Sequence, residues 1–246
     1  MQNTHKVNIL GIDFLNITQK QLVARLIQDD LHHQNRFVVT ANPEIVLAAR
    51  KNPQYQTIIN QADYVTADGI GIIKGAKILK KPLPERVTGY DTMLELLQYA
   101  NQAHKKVYFL GAKEAVIQSM IPQIQKKYPN LIIAGYHHGY FKDAQPIIDE
   151  IKHVQPDFIF VALGFPRQDF FIAAHRQSVD AIWMGVGGSF DVLSGNIKRA
   201  PQFWIDHHIE WLYRLIQEPQ RFKRMLALPK YLALVYLQKI KKNLVN

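Results

Sequence analysis

The chain has 246 residues, 48% of them hydrophobic, and no cysteine. It can bury a large core, and disulfides, thiolate metal sites and a cysteine nucleophile are excluded. The hydrophobic share also excludes wholesale disorder. We find neither the pattern of a signal peptide nor an apolar stretch long enough to cross a bilayer. We therefore expect a cytoplasmic protein. The absence of cysteine suits the reducing environment of the cytosol.

Positive charge is concentrated near the end of the chain. The net charge is +10, and residues 196–246 hold 10 Lys and Arg against 3 Asp and Glu, a net of +7. Residues 1–195 hold 20 against 17, a net of +3. Such a segment favours an anionic partner: phospholipid, nucleic acid or a phosphorylated ligand. We predict a domain over residues 1–195 and a basic helical appendage over residues 196–246.

Short apolar runs alternate with amphipathic segments over the first 195 residues. The runs predict strands at 7–11, 37–41, 64–67, 107–111, 131–135, 158–164 and 182–187. The other segments predict helices at 19–32, 43–61, 69–79, 91–104, 113–128, 144–153 and 166–176. This alternation predicts an α/β, Rossmann-like fold with a mainly parallel sheet flanked by helices. Beyond about Lys198 only helix is predicted, with breaks at Pro219 and Pro229.

Ligands of open parallel sheets bind at the carboxyl ends of the strands. Five polar or glycine-rich segments occupy such positions: 40–44, 66–69, 111–113, 163–168 and 185–191. The glycine turn at 185–188 can let a phosphate approach backbone N–H groups, or it can simply be a tight turn. The pattern G-x-G-x-x-G fails because Phe190 stands at its last position, and no Walker motif is present. A nucleotide site is favoured over a nicotinamide or ATP site.

Two charged residues near these positions have both a structural and a chemical interpretation. Asp68 follows a predicted strand, where an aspartate either caps a helix or serves as a general base. Arg86 lies in a stiff loop between Pro82 and Gly89, where a guanidinium either forms a surface ion pair or binds a diphosphate in bidentate fashion.

The sequence offers no clear metal site. No two acidic residues are spaced i, i+2, so the D-x-D pattern that holds Mn²⁺ or Mg²⁺ in many sugar-nucleotide transferases is absent. The adjacent pairs His137-His138 and His207-His208 point in different directions on a strand or a helix and rarely chelate together. We expect neither a metal nor another cofactor, so Arg and backbone N–H groups must meet the charge of any leaving diphosphate.

Seven blocks in order resemble the WecG/TagA/CpsF family of glycosyltransferases over nearly the whole chain. The last block is Arg199-Ala200-Pro201 with Glu210-Trp211-Leu212-Tyr213-Arg214 after it, and the first six are at residues 8–13, 40–44, 67–71, 85–91, 163–168 and 185–191. The resemblance implies an inverting, metal-independent transferase. The branch that the chain most resembles moves N-acetylmannosamine from UDP-ManNAc to undecaprenyl-diphosphate-linked GlcNAc, forming the linkage unit of wall teichoic acid.

The resemblance also implies roles for residues at the matching positions. Asp68 corresponds to the proposed base, and Arg86 to the arginine that stabilises the departing UDP. Thr40, Asn42 and Gln168 correspond to further residues of the active-site pocket. Substrate-binding residues are predicted around them: Gly111, Gly164, Phe165, Pro166, Gly187, Gly188 and Asp191. Of these, the glycine turn and Asp191 are expected to hold the uridine end.

The basic tail suits docking to an anionic membrane. Arg214, Arg221 and Arg224 lie among aromatic residues, a composition typical of membrane-interface helices. They are predicted to contact the membrane or the acceptor diphosphate, at the inner face of the cell membrane. Alternatively, the aromatic residues pack on the main domain and the charges face water.

Three rival functions remain open. A member of the same family could use another UDP-sugar, such as ManNAc-uronic acid or glucose. A nicotinamide-dependent Rossmann oxidoreductase is disfavoured by the failed glycine pattern. A nucleic-acid-binding protein is disfavoured because the charge accompanies apolar helix and no nucleic-acid motif, so no nucleic-acid partner is expected. A homo-oligomer is left open.

Overall fold

The computed structural model describes residues 5–201, 203–204, 207, 210–217 and 226–245. Six parallel strands form the main sheet in the order β4-β3-β8-β7-β5-β6. They are β3 (Arg36–Ala41), β4 (Tyr64–Ala67), β5 (Lys106–Gly111), β6 (Ile132–His137), β7 (Phe158–Ala162) and β8 (Ile182–Gly185). The predicted parallel α/β fold is therefore confirmed.

A small antiparallel hairpin precedes the sheet and was not predicted as such. It consists of β1 (Lys6–Ile9) and β2 (Ile12–Leu15), paired from Lys6 with Leu15 to Ile9 with Ile12. Leu10 and Gly11 form its turn with φ of 53° and 91°. Two-residue hairpin turns with positive φ at both positions usually carry Asn-Gly or Asp-Gly. Since leucine stands first here, the sequence gives no such signal.

Helices cover both faces of the sheet. They are α1 (Gln19–Leu31), α2 (Pro43–Lys51), α3 (Pro53–Asn60), α4 (Ile70–Ile78), α5 (Gly89–Gln102), α6 (Glu114–Lys127), α7 (Gln145–Val154), α8 (Arg167–His175), α9 (Ser189–Leu193), α10 (Glu210–Gln217) and α11 (Ala227–Val245). The single helix predicted over 43–61 is wrong, because Asn52 before Pro53 takes an extended conformation and caps α3.

The core is divided by the sheet into two clusters of buried side chains. Alternate residues of β7 point to opposite faces, with Phe158 and Phe160 in one cluster and Ile159 and Val161 in the other. The helices α1, α5, α6 and α9 supply the first cluster, and α2, α3, α4, α7, α8 and α11 supply the second.

The last helix packs against the α/β body. Tyr231 and Val235 of α11 are fully buried in the second cluster, one helical turn apart. Pro229 does not break this helix, because it stands in the first turn, where proline is tolerated. The predicted break at Pro219 lies outside the described residues. Within the described ranges, no helix is long and apolar enough to cross a membrane.

Candidate functional site

A cavity of about 410 Å³ opens at the carboxyl ends of β3, β4, β7 and β8. Nine of the residues predicted from the sequence line it: Thr40, Asn42, Asp68, Arg86, Gly164, Phe165, Gln168, Gly187 and Gly188. These residues come from five separate loops that only the sheet topology brings together. A cavity of this size is typical of sites for small molecules.

Asp68 lies directly beyond the end of β4 and is half-buried. Its backbone N–H donates to the Ala41 carbonyl at 3.0 Å, which ties the ends of β3 and β4 together. The N-cap residue of α4 is Gly69, with φ of 108°, so Asp68 precedes the N-cap position. The placement therefore argues against Asp68 as the helix cap, and Asp68 lines the cavity.

Arg86 reaches the same cavity from the loop that connects α4 to α5. The N–H of Val87 donates to the Ala67 carbonyl at 2.9 Å, so this loop returns to the end of β4. Arg86 is half-buried and lines the cavity. Asp68 and Arg86, 18 positions apart in the sequence, thus line the same cavity.

Three helices begin at the cavity wall. The first turns of α2, α4 and α5 all contribute lining residues, among them Pro43, Ile70 and Tyr90. Close approach requires glycines: an added Cβ at Gly71 would lie 2.6 Å from the Pro43 ring, and one at Gly89 would lie 2.7 Å from Thr40 Oγ1. Helix N-termini carry partial positive charge and free N–H groups, so this wall suits an anionic ligand.

Asn42 and Gln168 organise the loops beside the cavity. The side chain of Asn42 caps α2 by accepting from the Ile45 N–H at 3.0 Å. Gln168 is buried, and its Oε1 accepts from the Gly187 N–H at 3.1 Å. Its own N–H donates to the Gly164 carbonyl at 2.9 Å. Gln168 therefore connects the loop after β7 to the glycine turn after β8.

A second carboxylate lies behind Gln168, out of reach of solvent. Asp169 is 0% exposed, and its Oδ2 accepts from the Tyr55 hydroxyl at 2.6 Å. Burial raises the pKa of Asp169, hydrogen bonding from Tyr55 and Gln168 offsets part of this rise, and the resulting pKa is about 6. Oδ1 has no hydrogen bond of standard geometry among the described residues, although the Gln168 amide lies beside it.

Other predicted site residues lie outside the cavity lining. Gly111 ends β5 where an added Cβ would lie 2.4 Å from the Ala162 carbonyl oxygen, a close contact between strands. Pro166 is exposed at the start of α8, and Asp191 lies in α9 behind the glycine turn. The backbone of Arg214 belongs to α10, but its side chain, Arg221 and Arg224 lie outside the described residues.

The cavity also includes residues that were not selected from the sequence. Arg199 pairs with Asp91, and its guanidinium lies 4.8 Å from the centre of the Tyr90 ring. Asp91 also accepts from the Thr88 hydroxyl at 2.6 Å. These residues lie within the blocks at 85–91 and 199–201 that carry the family resemblance. Membership of those blocks is the sequence feature that could have indicated them. The lining further includes three residues of the helical C-terminal region for which no signal existed: Leu215, Ala227 and Leu228.

Metal-ligating side chains are not clustered in the part of the chain that the structure describes. No group of three or more His, Asp or Glu residues is placed there to hold a metal ion. His138 instead lies 3.6 Å from Glu114, and His137 packs against Phe141.

The chain is similar to a family of glycosyltransferases and to individual proteins of known name. The Glycosyl transferase WecG/TagA/CpsF family matches residues 7–244. A protein of Bacillus spizizenii is 44% identical over 91% of this chain and 88% of its own. One of Staphylococcus aureus is 40% identical over 94% and 92%, and one of Bacillus subtilis is 43% identical over 79% and 76%.

All three relatives are named N-acetylglucosaminyldiphosphoundecaprenol N-acetyl-beta-D-mannosaminyltransferase. The match extends over almost every element described above, including β4, the Arg86 loop and α11. The chain therefore belongs to the WecG/TagA/CpsF family and is a glycosyltransferase.

Proposed function

We propose that this enzyme transfers N-acetylmannosamine from UDP-ManNAc to undecaprenyl-diphosphate-linked GlcNAc, with inversion at the anomeric carbon. The observation that carries the proposal is that one cavity is lined by five predicted site residues: Asp68, Arg86, Thr40, Asn42 and Gln168. The names of relatives at 40–44% identity support the same donor sugar and acceptor. The product is the linkage unit of wall teichoic acid.

Asp68 is the general base of the proposed reaction. The acceptor hydroxyl oxygen attacks the anomeric carbon from the side opposite the UDP, while the carboxylate of Asp68 removes its proton. A C–O bond to the acceptor forms as the bond to the diphosphate oxygen breaks, and UDP leaves with the electron pair. A single displacement of this kind inverts the anomeric centre.

Arg86 and the helix N-termini stabilise the leaving group. Negative charge grows on the diphosphate as the glycosidic bond breaks, and a preorganised guanidinium meets it without reorganisation. The first turns of α2, α4 and α5 add partial positive charge at the same wall. On this arrangement, the glycine turn at Gly187 and Gly188, with Asp191 behind it, holds the uridine end of the donor.

A panel of donors tests the function. The purified enzyme is incubated with a lipid-diphosphate-GlcNAc analogue and UDP-ManNAc, UDP-ManNAc-uronic acid or UDP-glucose, and product formation is followed. Turnover that is fastest with UDP-ManNAc supports the proposal. Preference for another UDP-sugar would assign a different donor, and saturation-transfer NMR that detects NAD but not UDP would refute a sugar-nucleotide enzyme.

We expect transfer to continue in the presence of EDTA. The chain lacks a D-x-D pattern, and in the proposed site Arg86 and helix N-termini meet the diphosphate charge. The initial rate is measured with EDTA in excess over any divalent metal ion and again after adding an excess of Mn²⁺. A strict requirement for added Mn²⁺ would contradict this expectation.

The enzyme is further proposed to act at the inner face of the cell membrane, where its lipid acceptor lies. One face of α11 exposes Tyr236, Leu237 and Ile240, each more than half exposed, between Lys230 and Lys241. Apolar side chains flanked by lysines suit the interface of an anionic bilayer. In this proposal, residues 196–246 form the basic helical appendage that docks on the membrane.

Reversing the two flanking charges, Lys230→Glu with Lys241→Glu, is expected to weaken binding to vesicles that contain anionic lipid. Losing two lysines near the surface costs roughly 2 kcal/mol, or about thirtyfold in affinity, and repulsion of the two added glutamates increases this loss. Vesicle sedimentation measures the effect, with Lys126→Glu and Lys127→Glu on α6 as the matched control. Equal binding by both double variants would place the membrane contact elsewhere. Truncation before Asn196 is less suitable, because it also removes buried Tyr231 and Val235.

A further inference from the structure

Behind the cavity, the carboxylate of Asp169 lies beside the side-chain amide of Gln168, and this contact bears on how the amide is oriented. An added Cβ at Gly185 would lie 2.6 Å from Gln168 Nε2 and 3.3 Å from Asp169 Oδ1. Both atoms therefore occupy the space beside the Cα of Gly185, which carries no side chain. Asp169 is fully buried, and the Tyr55 hydroxyl already occupies its other oxygen. Oδ1 is therefore an acceptor that lies beside the Gln168 amide and makes no hydrogen bond of standard geometry among the described residues.

The two ends of a glutamine amide are nearly alike in shape but opposite in hydrogen bonding. A carboxylate oxygen beside the amide favours its NH₂ group and disfavours its oxygen. With the NH₂ group directed towards Asp169, the amide oxygen is directed towards the Gly187 N–H, where it accepts at 3.1 Å. With the amide reversed, two donors would meet at Gly187 and two acceptors at Asp169, which leaves buried polar groups unsatisfied.

We propose that Asp169 is a positioning residue that fixes the orientation of the Gln168 amide and, through it, the place of the Gly187 turn at the cavity. Asp169 is absent from the cavity lining, so its effect on a substrate there is indirect. The inference rests on the proposed function, because its readout is sugar transfer.

A double-mutant cycle tests the inference through kcat/KM for the UDP-sugar donor. Asp169→Ala is expected to lower kcat/KM by about tenfold, mostly through a higher donor KM, since the turn binds the donor. In a Gln168→Ala background the same change is expected to have no further effect. Additive losses in the double variant would overturn the inference. Asp169→Ser, too short to carry an oxygen to the amide, replaces Asp169→Ala in the cycle if the latter does not fold.

Two further variants separate positioning from stability. Asp169→Asn keeps an acceptor for the Gln168 amide, so its donor KM is expected to be close to that of the wild-type enzyme. Asp30→Ala is the matched control, because Asp30 is also buried, accepts from the Tyr99 hydroxyl at 2.7 Å and lies on the opposite face of the sheet. It is expected to lower the melting temperature and leave kcat/KM unchanged.

The outcomes also separate this inference from the function itself. A wild-type enzyme that transfers no sugar from any UDP-sugar refutes the proposed function. A wild-type enzyme that transfers sugar while Asp169→Ala matches it in kcat/KM refutes the positioning role alone.

Discussion

Replacing Asp68 by asparagine is expected to lower kcat for sugar transfer by about a hundredfold to ten-thousandfold. Asparagine preserves the shape of the side chain but cannot accept a proton from the acceptor hydroxyl. Because the carboxylate acts on the acceptor, the dissociation constant of UDP is expected to change only a few-fold. Steady-state kinetics and calorimetric titration of UDP measure the two effects on the same preparation.

Asp143→Asn is the matched control for this change. Asp143 is exposed before α7 and outside the cavity lining, so this variant is expected to keep wild-type turnover. Near-normal turnover by Asp68→Asn would remove Asp68 as the base. Loss of both turnover and UDP binding would instead indicate a role in holding the donor.

Replacing Arg86 by alanine is expected to lower kcat by about a hundredfold to a thousandfold. The guanidinium meets charge that develops only as the bond to UDP breaks, so kcat and kcat/KM should fall together. Arg86→Lys is expected to recover little of this loss, because an ammonium group cannot bind a diphosphate in bidentate fashion.

Arg50→Ala provides the comparison for Arg86. Arg50 is an exposed arginine at the far end of α2, away from the cavity. We expect its loss to leave kcat unchanged. A rise in donor KM at constant kcat in Arg86→Ala would show that Arg86 binds ground state and transition state equally, contrary to the proposed role.

Much of the sheet could be predicted because its strands are short, apolar and followed by polar residues. The strand Tyr64–Ala67 was predicted with its observed bounds, and the loops after four strands were correctly expected to converge. Parallel topology makes this possible, since all carboxyl ends lie on one edge. Gly111 also stands at such an end, yet β5 lies farther along the sheet and the residue contacts Ala162 instead of the cavity.

Other features required three-dimensional information. The hairpin turn at Leu10 and Gly11 lacks the usual residues, so the strand predicted over 7–11 covers β1 and the turn, and β2 was missed. The pairing of Arg199 with Asp91 joins residues 108 positions apart, which local patterns do not report. Leu228 reaches the cavity only because α11 docks on α2 and α4.

The docking of α11 has a consequence for the order of events during protein synthesis. Leu10 donates its N–H to the side chain of Gln238, so the first and last segments of the fold meet across 228 positions. Domains form largely as the chain leaves the ribosome, from the N-terminal end onward. Since Ala227 and Leu228 of α11 complete the cavity wall, a nascent chain lacks a finished site until α11 has been synthesised. A complete cavity wall is thereby limited to chains that already contain α11.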